Sequence, residues 1–250
     1  METKSVIETR ELTKIYNGRA AVDKLSLAVN EGEIFGFLGP NGAGKTTTLL
    51  MLLGLTQPTS GTAKVLGLDP SREPIKVKSK IGYLQENMGF YSDLDARQML
   101  RFIAELNGFY GHLADERIDA ALESVGLADE AAKKIAAYSR GMRQRLGFAE
   151  LLIKDCKVAF LDEPTLGLDP DATNRMIELI QSLGRDKQMT VLLSSHLLHQ
   201  VQKICHRVGI MIKGRMVAQG PLAQLSEEKF GVGKNTYSLE EIYMKYFQEA

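Results

Sequence analysis

Several residue patterns are missing from this 250-residue chain, and each absence closes a class of function. Its two cysteines, Cys156 and Cys205, lie far apart and outside any C-x-x-C pair. A disulfide framework and a zinc knuckle are therefore excluded, and a reducing compartment is the expectation. There is no excess of charge: 31 Lys and Arg face 31 Asp and Glu, so no long-range field gathers a polyanion such as DNA. There is no long apolar run either. The longest, Thr48 to Leu55, falls far short of the roughly 20 residues of a membrane-crossing helix, and the Met1 start lacks the apolar core of a secretory signal. No period of roughly 20 to 50 residues repeats, which argues against solenoids and propellers. What remains, at 44% apolar and 25% charged, is the composition of a globular protein without a break or linker. One large domain with a subdomain is expected.

The first thirty residues alternate, with Val6, Glu8, Arg10 and Leu12 on one side of an Asn17-Gly18 turn and Val22, Leu25, Leu27 and Val29 on the other. This predicts an antiparallel start. From Ile34 the pattern changes to short apolar runs, Ile34 to Leu38, Lys80 to Leu84, Val158 to Leu161, Met189 to Leu193 and Val208 to Ile212. Each is followed by a loop and an amphipathic segment of helical length, which predicts a mostly parallel, buried sheet in an α/β fold. Between the second and third runs the patterns are helical: Ala96 to Asn107, Ala114 to Val125 stopped by Gly126, and Arg140 to Ile153 behind Ser139 as N-cap. A helical subdomain is expected there. The last run turns through Gly214 and returns as Arg215 to Gln219, and Ser238 to Phe247 reads as an amphipathic helix. The expected organisation is a single domain, 1–250. Residues 1–85 and 156–222 form its α/β core with the antiparallel strands, 86–155 a helical subdomain and 223–250 a helical tail.

After the strand Ile34 to Leu38 comes Gly39-Pro40-Asn41-Gly42-Ala43-Gly44-Lys45-Thr46-Thr47, leading directly into the helical run Thr48 to Leu53 with Gly54 as its stop. This is G-x-x-x-x-G-K-[ST] in its required strand, loop, helix context, the phosphate loop of a P-loop NTPase. Its glycines let backbone N–H groups converge on phosphate oxygens, and the helix N-terminus adds its positive pole. Lys45 reaches the β and γ phosphates, and the Thr46 hydroxyl can ligate Mg2+. The run Val158 to Leu161 ends in Asp162-Glu163, and a doubly wound sheet gathers its ligands at the carboxyl ends of its strands. Asp162 is placed to hold the magnesium shell, and Glu163 to polarise a water for attack on the γ-phosphate.

Four further motifs follow in order: Gln85 closing Ile81-Gly82-Tyr83-Leu84-Gln85, Tyr138-Ser139-Arg140-Gly141-Met142 ahead of Arg143-Gln144-Arg145, Gly167-Leu168-Asp169, and Ser194-Ser195-His196. Singly, each has an ordinary explanation as a solvated glutamine, an N-capping serine or a structural histidine. Together, from Tyr16 to His196, they resemble the nucleotide-binding subunit of an ABC transporter, of the bacterial exporter type. The resemblance implies that Gln85 touches magnesium or the attacking water and senses the partner subunit, and that His196 donates to the γ-phosphate. It implies that Tyr16 stacks on adenine, where packing of the hairpin is the other reading. It also implies that Ser139, Arg140, Gly141 and Met142 form a signature loop acting on ATP held by a second subunit, with Asp169 in the D-loop. The usual Leu-Ser-Gly-Gly-Gln of that loop is Tyr-Ser-Arg-Gly-Met here, and the D-loop has Gly167 where Ser is common. The Arg140 guanidinium either adds charge at the phosphates or points to solvent.

The function so implied is hydrolysis of Mg-ATP in a nucleotide-sandwich dimer, homo- or heteromeric, that drives transport through separate membrane permease subunits. The chain would sit on the cytoplasmic face of the membrane. The permease is expected to dock near Gln85 and residues 88–94, whose Met88-Gly89-Phe90-Tyr91-Ser92-Asp93-Leu94 mixes apolar with acidic groups. An ordinary loop anchored by core aromatics reads the same way. Export is favoured by the signature loop and by the lack of room for a regulatory domain after about Leu225. The rival is a soluble ABC-type ATPase acting on nucleic acid or the ribosome. That class calls for a long coiled-coil insertion or two cassettes per chain, and for basic surfaces, so no nucleic acid is expected as a partner.

Overall fold

The structure is a computed structural model that describes residues 4–231 and 237–249. The first three residues, and positions 232–236 and 250 of the expected tail, lie outside them. In order the elements are β1 (Ser5–Tyr16), β2 (Arg19–Asn30), β3 (Ile34–Leu38), α1 (Lys45–Leu52), β4 (Ser60–Val65), α2 (Pro74–Lys78), β5 (Ile81–Leu84), α3 (Ala96–Leu106), α4 (Gly111–Ser124), α5 (Arg140–Lys154), β6 (Val158–Asp162), α6 (Pro170–Arg185), β7 (Thr190–Ser195), α7 (Leu198–Ile204), β8 (Arg207–Ile212), β9 (Arg215–Gly220), α8 (Leu222–Phe230) and α9 (Leu239–Glu249).

β1 and β2 form the expected antiparallel hairpin, and β4 joins the other edge of β1, giving the order β2-β1-β4. The alternation in β1 is not strict. Val6 and Ile7 are both buried, and the register with β2 shifts where Glu11 takes φ 46, because a bulge moves the following side chains to the other face. The larger sheet runs β5-β6-β7-β3-β8-β9, parallel except for β9. Its central strands are apolar on both faces because both are covered. Phe35, Phe37, Phe160 and Leu192 pack with Leu49 and Leu52 of α1 under the antiparallel sheet. Leu161, Val191 and Leu193 face the helices, where Leu146, Phe148 and Ile180 meet them. Helices α3, α4 and α5 lie between β5 and β6, where the helical insertion is expected. α3 begins with a capping box, Asp95 accepting from Gln98 N while the Gln98 side chain accepts from Asp95 N.

Parallel register does the positioning. Leu84 pairs with Leu161, Asp162 with Ser194 and Leu38 with Ser195, so the ends of β3, β5, β6 and β7 arrive side by side. Among the described residues, no helix is long and apolar enough to cross a membrane.

Candidate active site

The glycine loop leaves β3 and needs its glycines for close approach as well as for backbone conformation. A Cβ on Gly39 would lie 2.3 Å from the Met211 carbonyl oxygen, and one on Gly44, at φ 105, 2.3 Å from that of Ala21. These positions wedge the loop between β8 and the start of β2, a fit only glycine allows. Lys45 is the first residue of α1. Its ammonium donates to the carbonyls of Gly39 at 2.7 Å and Pro40 at 3.3 Å, and lies 3.4 Å from Glu163 Oε1. Both side chains of that ion pair are buried.

Asp162 ends β6 and is held by two hydroxyls. Thr46 Oγ1 lies 3.3 Å from its Oδ1 and Ser194 donates to the same oxygen. The Tyr83 phenol is pushed up to about 12 by burial first and by the nearby Asp162 charge second. Tyr83 and Ser194 therefore belong to the site, although their sequence contexts, one residue inside a strand and one in the Ser-Ser-His run, gave them no role. The Thr46 hydroxyl and Asp162 carboxylate are hard oxygen donors that suit magnesium, which takes its other ligands from phosphate and water. Among the described residues no group of three or more His, Cys, Asp and Glu could hold a metal ion.

Glu163, the next residue, has φ 48, a left-handed conformation that is strained for a side-chain-bearing residue, and its carboxylate meets Lys45 and His196 where that of Asp162 meets Thr46 and Ser194. Its Oε2 is 2.9 Å from His196 Nδ1 and accepts from the His196 backbone N–H at 3.4 Å. Its Oε1 is buried with no hydrogen bond among the described residues. The carboxylate thus has one oxygen that orients an imidazole and one that faces the Lys45 ammonium without a hydrogen bond. A partly exposed His196, fixed through Nδ1, keeps Nε2 for another group.

Other expected site residues lie apart from this cluster. Tyr16, at the end of β1, is 45% exposed, with Lys14 Nζ 4.9 Å from its ring centroid, so it does not pack inside the hairpin. Gln85 is exposed beyond β5 and lines a cleft of about 320 Å³ between the end of α1, β5, α3 and α5. Ser139 caps α5 by accepting from Met142 N at 3.2 Å, as expected, and Asp169 caps α6 by accepting from Ala172 N at 2.8 Å. Among the described residues, no hydrogen bond or ion pair joins residues 139–142 to the glycine loop. In the segment 88–94, Met88, Phe90 and Leu94 pack against the core while Tyr91 stands 56% exposed, so the loop is both anchored and presented.

The cleft contains one conspicuous carboxyl. Glu150 of α5 has a buried Oε1 without a hydrogen bond, and burial pushes the group up from 4.5 to about 7. Because the folded value is raised, the fold binds the proton more tightly than the unfolded chain. The associated stability is present below the ordinary value and is lost as pH rises from 4.5 through about 7. Glu150→Gln is therefore expected to raise stability by up to about 3 kcal/mol at pH 8 and by little at pH 4.5, read from thermal melts. An equal gain at both pH values would contradict the assignment.

A glycine loop opening a helix, a strand ending in Asp-Glu and a parallel sheet that brings both together define a P-loop ATPase. The chain matches the ABC transporter family over residues 22–166, more than half its length, and belongs to that family as an ATP-binding subunit and ATPase. It is 40% identical over 223 residues to the bacitracin transport ATP-binding protein BcrA of Bacillus licheniformis, covering 89% of this chain and 72% of that protein. It is 35% identical over 245 residues to the probable multidrug ABC transporter ATP-binding protein YbhF of Escherichia coli K12, covering 98% of this chain and 42% of that protein. A solved ATP-binding subunit of an ABC transporter superposes with TM-score 0.87 at 26% identity, covering 97% of this chain and 100% of that one.

Proposed function

We propose that two such subunits sandwich two ATP molecules and drive an exporter built from separate membrane-spanning subunits. The observation that carries this reading is the Lys45–Glu163–His196 cluster at the strand ends, with the signature loop held elsewhere on the same chain. A site that has its base and cation but not its signature loop is completed by a second subunit. Within one site, residues 39–47 cradle the phosphates, Lys45 compensates their charge and Tyr16 offers an exposed ring to adenine. Glu163 Oε1 takes the proton of an attacking water, His196 Nε2 faces the γ-phosphate, and Ser139 and Gly141 of the partner offer N–H groups to it. Thr46 and Asp162, together with Gln85 from the end of the neighbouring strand β5, would hold Mg2+, which when bound neutralises phosphate charge. Residues 1–85 and 156–222 form the catalytic core in this reading, 86–155 the helical subdomain and 223–250 the tail.

Export is supported by the relatives named for bacitracin and multidrug transport. The permease docks near Gln85 and residues 88–94, where Tyr91 and Phe102 meet edge to face at 6.1 Å and Leu106, one turn of α3 after Phe102, is 67% exposed. Exposed large apolar side chains grouped in this way mark a surface made for another protein. In this reading the subunit sits at the cytoplasmic face of the membrane.

The test is copurification in detergent with the six-span membrane protein sought among neighbouring reading frames. The tagged chain is expected to bring that protein down, and Tyr91→Glu with Leu106→Glu to lose it while ATP binding persists. Recovery with nucleic acid or ribosomes, without a membrane protein, would favour the soluble-machine alternative.

A further inference from the structure

Arg140 in the signature loop and Gly167 in the turn that follows Glu163 touch in the fold. A Cβ on Gly167 would lie 2.9 Å from Arg140 Nη1, 3.0 Å from Cζ and 3.2 Å from Nε. The guanidinium therefore lies across the space that any side chain at 167 would need. Beside it the first turns of α5 and α6 are packed as well, since a Cβ on Gly141 would be 3.2 Å from Ala172 Cβ.

From Gly167 back to Glu163 there is little slack. Leu166 N donates to Glu163 O at 3.1 Å, Leu168 N donates to Thr165 O at 3.3 Å, and the Thr165 hydroxyl bonds the buried Gln200 side chain. We propose that Arg140 is a positioning residue: seated on Gly167, it straps the signature loop to the turn that follows Glu163, so that the two move as one piece. The inference rests on the sandwich-dimer reading, in which contact of Ser139 and Gly141 with the partner's γ-phosphate is felt at this subunit's own Glu163. The guanidinium suits the task because it is planar and weakly hydrated, and so packs on an exposed peptide where an ammonium would stay in water.

The test is a double-mutant cycle on the purified chain with Arg140→Ala, Gly167→Ala and both together, reading turnover and ATP affinity. A Cβ at 167 meets the far end of the Arg140 side chain and, at φ 70, also strains the turn itself, a backbone cost that Arg140→Ala does not carry. Each single change is expected to lower kcat about tenfold or more with KM little altered, and the pair to be no worse than Gly167→Ala alone, because the contact is already undone there. Arg140→Lys is expected to behave like Arg140→Ala.

Losses that multiply in the double variant would overturn the strap. So would a fully active Gly167→Ala, and an active Arg140→Lys would assign the group to phosphate charge instead. The dimer reading fails separately, if a variant that holds ATP without turnover stays monomeric. The cycle is read from turnover and ATP affinity and the dimer from light scattering, so the two failures are distinguishable.

Discussion

Glu163→Gln is expected to keep ATP and lose hydrolysis, with turnover falling by a factor on the order of 10² or more. The amide matches the carboxylate in size and can still accept from His196 through its oxygen, 2.9 Å from Nδ1 in the parent. It cannot take a proton from water. If ATP holds two subunits together only while its γ-phosphate survives, the variant should accumulate as a closed dimer with ATP and stay monomeric with ADP. Size-exclusion chromatography with light scattering reads both states. Adding Ser139→Arg should abolish the dimer, because Ser139 sits at the exposed start of α5 and would meet the partner's nucleotide. A dimer that survives Ser139→Arg would remove the signature loop from that interface.

Lys45→Ala should have the other large effect, and it has two parts. ATP loses its charge-assisted bond in the loop, about 1.5 to 3 kcal/mol of affinity, and turnover falls below detection. Without nucleotide, the Glu163 carboxylate loses the cation 3.4 Å from its buried Oε1, and truncating one partner of a buried pair costs about 3 to 5 kcal/mol. A lowered Tm in the absence of ATP should therefore accompany the lost activity, which a role confined to phosphate binding does not require. Tyr16→Ala is the contrasting case. Its ring is exposed, so it should weaken ATP by about 1 to 3 kcal/mol with Tm unchanged, while Tyr16→Phe stays near the parent. Turnover by Lys45→Ala equal to the parent would remove the phosphate-loop assignment.

Much of this architecture was legible in the order of residues because it rests on local backbone demands. The glycine loop, the Asn17-Gly18 hairpin, the Ser139 cap and the Asp-Glu strand exit each prescribe a conformation within a few residues, and a conformation so prescribed leaves a spacing that can be read. β4 left none. Ser60–Val65 is mostly exposed, with only Ala63 and Val65 buried, and it is a strand because β1 offers it an edge.

What the sequence by itself determined is the inventory of the site and the chain order of its parts. Only the tertiary structure decided which members meet. Parallel register sets Asp162 beside Ser194, the β5–β6 pairing brings Tyr83 to the same carboxylate, and the packing of α5 against α6 lays Arg140 on Gly167. The physical reason is that contacts between distant parts of a chain carry no period. They follow from how buried faces and strand registers close the core, and a single carboxylate or guanidinium takes its partners from whatever that closure brings within reach.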